Sequence, residues 1–198
     1  IGVLVVQVIH CLSDGILRVE RGAVRLLAFA LPLMIIANTI GRAFRSPIYF
    51  MDELAIHCMV WIAMIGMSLT LKTRTAVSVT MLVDAVPLAL MKSMKVLIDV
   101  IILTFAGILI YLCIKWFDPV ALARVGFDFQ EFSGETFNFM YQDTTNTLGM
   151  KKFWFWLIVP VAAMTTFVHA LSNLLKTAAT PAAALKELSA SSGARGLD

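Results

Sequence analysis

Six polar side chains stand inside or at the edges of long apolar runs: Asn38, Arg42, Glu53, His57, Asp99 and His169, with Trp61 in the same setting. In lipid such groups are costly and normally face a partner or a cavity. Each is therefore a candidate for substrate contact, proton transfer or helix association. Asn38 and Arg42 are four residues apart, as are Glu53 and His57, so each pair shares a helical face. At one depth the four would form a single hydrogen-bonded cluster, with Arg42 and Glu53 sharing a network. The plainer alternative is that Arg42 and Glu53 snorkel separately into the headgroups. Asp99 is expected to pair with Lys95, His169 or Lys176, which would remove an unpaired charge from lipid.

The spacing argues against most chemistry. A proton relay needs a connected chain of ionisable groups, and only apolar residues separate the two depths at which these groups lie. Two haems in a four-helix bundle need histidines at matching depths; His57 and His169 lie at opposite depths and His10 lies outside the bundle. A small drug exporter would want a carboxylate in mid-span, whereas Glu53 and Asp99 are near span ends. There is no GxSxG, HExxH, Walker A or CxxC pattern. No catalytic, substrate-binding or metal residue and no cofactor is expected, so the chain reads as a non-catalytic membrane scaffold.

The elements that must hold these residues follow from composition. Of 198 residues, 60% are hydrophobic and 15% charged, with a mean hydropathy of +0.86. Soluble domains are about 45–50% apolar and about 25% charged, so lipid is the solvent for most of this chain. The net charge of +3 does not indicate nucleic acid, because the basic residues are scattered between apolar runs. Cys58 and Cys113 lie in apolar runs and read as small hydrophobes.

The sequence predicts an all-α integral membrane protein with four transmembrane helices, at about 25–42, 54–71, 96–117 and 153–175, since a bilayer core about 30 Å thick needs roughly 20 apolar residues. Residues 3–12 are too short to span and lack a basic flank, which suggests a surface or partner-docking helix. The amphipathic stretch 79–95 reads as an interfacial arm. Residues 118–150 form an outer loop, and 177–198 a flexible tail after a single membrane domain, 1–176. With the N-terminus inside, ten basic residues fall on inner segments and six on outer ones, which favours both termini in the cytoplasm (N-in/C-in).

Several patterns then carry a resemblance. Asn38-x3-Arg42, Pro47, Asp52-Glu53-Leu54-Ala55, Val60-Trp61 and Gly66 are followed by the basic pair Lys72 and Arg74, by Val77, Val79 and Pro87, and later by Thr147-Leu148-Gly149, Trp154 and Pro160. Their order over residues 20–175 resembles the small membrane (DctQ-like) subunit of tripartite ATP-independent periplasmic (TRAP) transporters. Ile56, Ala76 and Thr80 depart from that family's usual residues. The resemblance implies a bacterial inner-membrane subunit that scaffolds a large elevator subunit. It further implies sodium-coupled symport of an organic acid, C4-dicarboxylate-like or related, delivered by a periplasmic substrate-binding protein. Sodium would sit on the large subunit, and a structural phospholipid at the subunit interface is compatible with this picture. The alternative is a membrane subunit of an electron-transfer or maturation complex.

The outer loop is too long for a simple connection. It carries Phe127, Phe129, Phe132, Phe137, Phe139 and Tyr141, which are expected to brace the large subunit or help seat the binding protein, with Asp128, Glu131 and Glu135 on a polar rim. The plainer alternative is that they pack on the bundle's own top or dip into headgroups.

Overall fold

The computed structural model describes residues 2–74, 87–181 and 184. Among the described residues there are seven helices in this order: α1 Gly2–Ala43, α2 Tyr49–Thr73, α3 Leu88–Phe117, α4 Pro119–Arg124, α5 Phe129–Thr136, α6 Phe153–Trp156 and α7 Ile158–Ala179. Among the described residues the only β pairing is one isolated bridge, Thr144 with Lys151. Four segments are long and apolar enough to cross a membrane: Val6–Ala43, Tyr49–Thr73, Leu90–Arg124 and Phe153–Ala179. The all-α, four-span expectation holds.

The helix bounds differ from the sequence reading at α1. Residues 3–12, expected as a separate short helix, are the first turns of a continuous 42-residue helix. At 1.5 Å per residue it is about 63 Å long, twice the hydrocarbon thickness of about 30 Å. Nothing between Leu12 and Arg25 breaks it, because Gly15 and Gly22 each cost only about 1 kcal/mol. Ser13 and Glu20, buried on one face, tie this stretch to other helices. The expected arm at 79–95 lies outside the described residues up to position 86. Its described end, from Leu88, is the start of α3, and the Pro87 carbonyl accepts hydrogen bonds from the amides of Leu90 and Met91. Of the expected tail, residues 177–179 are the last of α7, and 182, 183 and 185–198 lie outside the described residues.

The chain divides into two compact units. The first comprises Ile1–Glu20, Met67–Ile108 and Ala163–Asp198. Its buried apolar side chains include the small Ala106, Ala163 and Ala170, which lets helix backbones approach closely. Its buried polar residues Ser13, Glu20, Ser68, Asp99 and His169 supply the specific contacts.

The second unit comprises Arg21–Gly66 and Leu109–Ala162, and it contains the loop of residues 118–150 as a small folded body. Asp118 caps α4, its carboxylate accepting from the Ala121 amide at 3.1 Å. Asp128 caps α5 through the amides of Gln130 and Glu131. Such caps are worth about 1 kcal/mol each. Phe117, Leu122, Phe132, Met140 and Tyr141 form a core that Phe129, Phe153 and Trp156 pack against. The Tyr141 hydroxyl donates to the Phe117 carbonyl at 2.7 Å. Burial, with the Asp118 charge adding to it, pushes the Tyr141 phenol above its ordinary pKa and keeps it a donor. Of the six loop aromatics, Phe129, Phe132 and Tyr141 are thus engaged in the loop's own core, whereas Phe127, Phe137 and Phe139 are exposed.

The turn from α1 to α2 depends on Gly41. The Ser46 amide donates to the Gly41 carbonyl at 2.9 Å, and a Cβ on Gly41 would stand 2.8 Å from the Ser46 carbonyl oxygen. Overpacking against backbone costs about 1–3 kcal/mol. Gly41→Ala should therefore lower the thermal midpoint of the purified protein. Gly107→Ala, where nothing lies within 4 Å of the added methyl, should leave it unchanged or raise it. Equal midpoints for the two variants would contradict this account of the turn.

Candidate functional site

In the second unit the polar residues converge on the start of α2. Asn38, buried on α1, donates from Nδ2 to Asp52 Oδ1 at 2.5 Å, and its Oδ1 accepts from the Ile48 amide at 3.3 Å. Arg42 forms an ion pair with the other Asp52 oxygen. Both of those side chains are more than half exposed, so the pair itself contributes about 0–1 kcal/mol. The buried Asn38 is the stronger tie between α1 and α2.

Glu53 does not join that cluster, contrary to the expected Arg42–Glu53 network. Adjacent residues on a helix point about 100° apart, so Asp52 faces α1 while Glu53 faces the loop before α6. There its Oε1 accepts from the Asn146 amide at 2.8 Å. Its Oε2 accepts from the Thr147 amide at 2.8 Å, the Thr147 hydroxyl at 2.6 Å and the Leu148 amide at 3.4 Å. Successive amides turned onto one anion form a nest. The loop is shaped for it by Gly149 at φ +66° and by Thr145, whose hydroxyl bonds to both the carbonyl and the amide of Met150. One turn further along α2, the His57 ring stacks on Phe155 at 4.0 Å. Trp61 Nε1 donates to the Phe155 carbonyl at 3.0 Å. Glu53, His57 and Trp61 together fasten α2 to the segment 146–155.

The first unit holds the other expected residues, with partners the sequence did not indicate. His169 is fully buried on α7. Its Nδ1 bonds to Ser13 Oγ at 2.7 Å and its Nε2 to Glu20 Oε2 at 3.2 Å. The other Glu20 oxygen accepts from Ser68 at 2.8 Å, and Ser68 is 3.0 Å from Thr165. Asp99 pairs with Arg74 at 2.6 Å and accepts from Thr177 at 2.6 Å, in place of the expected Lys95, His169 or Lys176. Lys72 reaches Asp14 at 3.2 Å and Ser172 at 3.3 Å, and Ser172 also bonds His10 at 2.7 Å.

Chemically these arrangements are closed. Glu53 accepts four hydrogen bonds, Glu20 and Asp99 are each paired, and both ring nitrogens of His169 are engaged, leaving neither for an iron ion. Among the described residues no group of three or more His, Cys, Asp or Glu is placed to hold a metal. The buried side-chain polar atoms without a partner are His57 Nε2 and Thr166 Oγ1. Sequence reasoning missed Glu20, Ser68, Asp52 and Arg74 as network members. A signal existed for Glu20: it lies seven residues after Ser13, two helical turns along one face.

These contacts separate two double-mutant cycles in the second unit. Asn38→Ala with Asp52→Ala should show a coupling of about 1–2 kcal/mol, because the two share a hydrogen bond. Arg42→Ala with Glu53→Ala should be additive, since they serve different partners. Thermal or denaturant unfolding of the purified complex reads both; strong coupling in the second cycle would contradict the geometry.

Comparison with known proteins agrees with the architecture. The family model for the DctQ component of tripartite ATP-independent periplasmic transporters matches residues 31–180, about three quarters of the chain. No curated protein and no solved structure matches. The matched stretch takes in the Asn38–Asp52 cluster, the Glu53 nest and the paired His169 and Asp99. With four helices able to cross a membrane, this multi-pass membrane protein belongs to the DctQ family of TRAP transporter components.

Proposed function

We propose that this chain is the static, non-catalytic small subunit of a sodium-coupled TRAP transporter for an organic acid, seated N-in/C-in in a bacterial inner membrane. The observation that carries the reading is where its polar groups go. Apart from His57 Nε2 and Thr166 Oγ1, the buried side-chain polar atoms of the described residues are bonded within the chain, and two isolated atoms on different helices do not make a path for a solute or an ion. Sodium and substrate would then be handled by the large membrane subunit, after delivery by a periplasmic binding protein.

A scaffold also needs a surface for the part it steadies. On α1, within the second unit, Leu26, Phe29, Leu33, Ile36 and Ile40 are all exposed and alternate at spacings of three and four. That 3.5-residue period is the one at which a helix keeps a seam against a neighbouring helix. Lipid asks for no period. The reading places the large subunit on this seam.

The test is reconstitution. In liposomes, this chain alone should give no sodium-driven uptake of an organic acid. The large subunit with its binding protein should depend on this chain for full uptake, and Phe29→Glu with Leu33→Glu should abolish co-purification. Uptake by this chain alone would overturn the reading.

A further inference from the structure

The exposed aromatics of the loop of residues 118–150 have a definite position relative to a span. Between Asp99 and Lys115, α3 carries no charged residue, and Lys115 and Trp116 are both exposed at its end. A snorkelling cation beside a Trp marks the level where hydrocarbon gives way to headgroups. Asn138 donates from its side-chain amide to the Trp116 carbonyl at 2.7 Å, and Tyr141 donates to the next carbonyl, that of Phe117. The chain around Asn138 is therefore pinned to the last turn of α3. The residues on either side of Asn138 are Phe137, 82% exposed, and Phe139, 55% exposed.

Phe137 is also placed where a smaller residue would be easier. It ends α5 in the left-handed region at φ +55°, its amide donating to the Ser133 carbonyl. Glycine or asparagine normally fills that position, because a Cβ is disfavoured there. Among the described residues neither Phe137 nor Phe139 stacks on another ring, unlike Phe129, Phe132 and Tyr141. The fold thus presents two bare phenyl rings at the depth of a span end. The rings' own segment, residues 125–150, contains no Lys or Arg, although Arg124, Lys151 and Lys152 border it, so the rings themselves meet lipid by apolar contact.

We infer that Phe137 and Phe139 form a lipid anchor: their rings enter the glycerol–acyl boundary of the leaflet at the Trp116 end of α3 and hold the folded loop down on the bilayer. The occupant is neutral phospholipid, met by apolar contact. This stands on the membrane-spanning fold and not on the transport reading.

The experiment places p-benzoylphenylalanine at 137, at 139 and, as a control, at the fully buried Phe132. The probe is carried in the assembled transporter and irradiated both in native membranes and in nanodiscs of phosphatidylcholine alone. Positions 137 and 139 should gain the mass of a phospholipid in both settings, and 132 should not. Both sites are exposed, so the bulky probe leaves the loop core intact. Adducts to another polypeptide in place of lipid, or lipid adducts that vanish in phosphatidylcholine alone, would overturn the proposal.

Discussion

Hydrocarbon offers no water to a buried polar group, so each one that enters the bilayer must find its partner in protein. The pair formed by Glu20 and His169 states that constraint most sharply. His169 is completely buried and Glu20 nearly so. Leaving either alone costs about 3–5 kcal/mol, more than the net contribution of most single contacts. Ser13 and Ser68 complete the pair, and the four residues come from α1, α2 and α7. The continuity of α1 over 42 residues fits the same requirement, since its early turns carry Ser13 and Glu20 to their partners. By contrast the exposed Arg42–Asp52 pair contributes little, and the buried Asn38 amide makes the tie at that point.

The spans were legible in the sequence, because a run of about 20 apolar residues admits few other readings. The early part of α1 was not, since Asp14, Arg18, Glu20 and Arg21 interrupt the hydrophobic pattern without breaking the helix. The candidate polar residues were legible as a set, but their partners were not. Asp52 and Glu53 are neighbours in sequence and face different elements, which no spacing rule distinguishes. Asp99 was assigned to a cation nearby on α3 or on α7, while its partner Arg74 comes from the end of α2, where a left-handed residue at φ +56° ends the helix. The loop aromatics looked alike in sequence, yet the caps at Asp118 and Asp128 sort them into a core and an exposed set.

The Glu53 nest explains how a long loop can be firm. A carboxylate on the first turns of α2 holds three consecutive amides, while His57 and Trp61 grip Phe155 immediately after. Loop and span are thereby one piece in the second unit. For a subunit proposed to stay still while its partner moves, a loop fixed to the spans at several points is more useful than a mobile one, because load applied to it passes into the helices.

The central claim is that the intramembrane polar groups of this chain hold helices together and do not take part in transport. It is tested most directly by replacing Glu20 and His169 together with leucine, and measuring uptake per assembled transporter in proteoliposomes. Removing both members of a buried pair leaves no unpaired charge and is often close to neutral, and the serines can turn to carbonyls on their own helices. The account predicts uptake per complex near that of the unaltered transporter. A complex that assembles normally but no longer transports would contradict it.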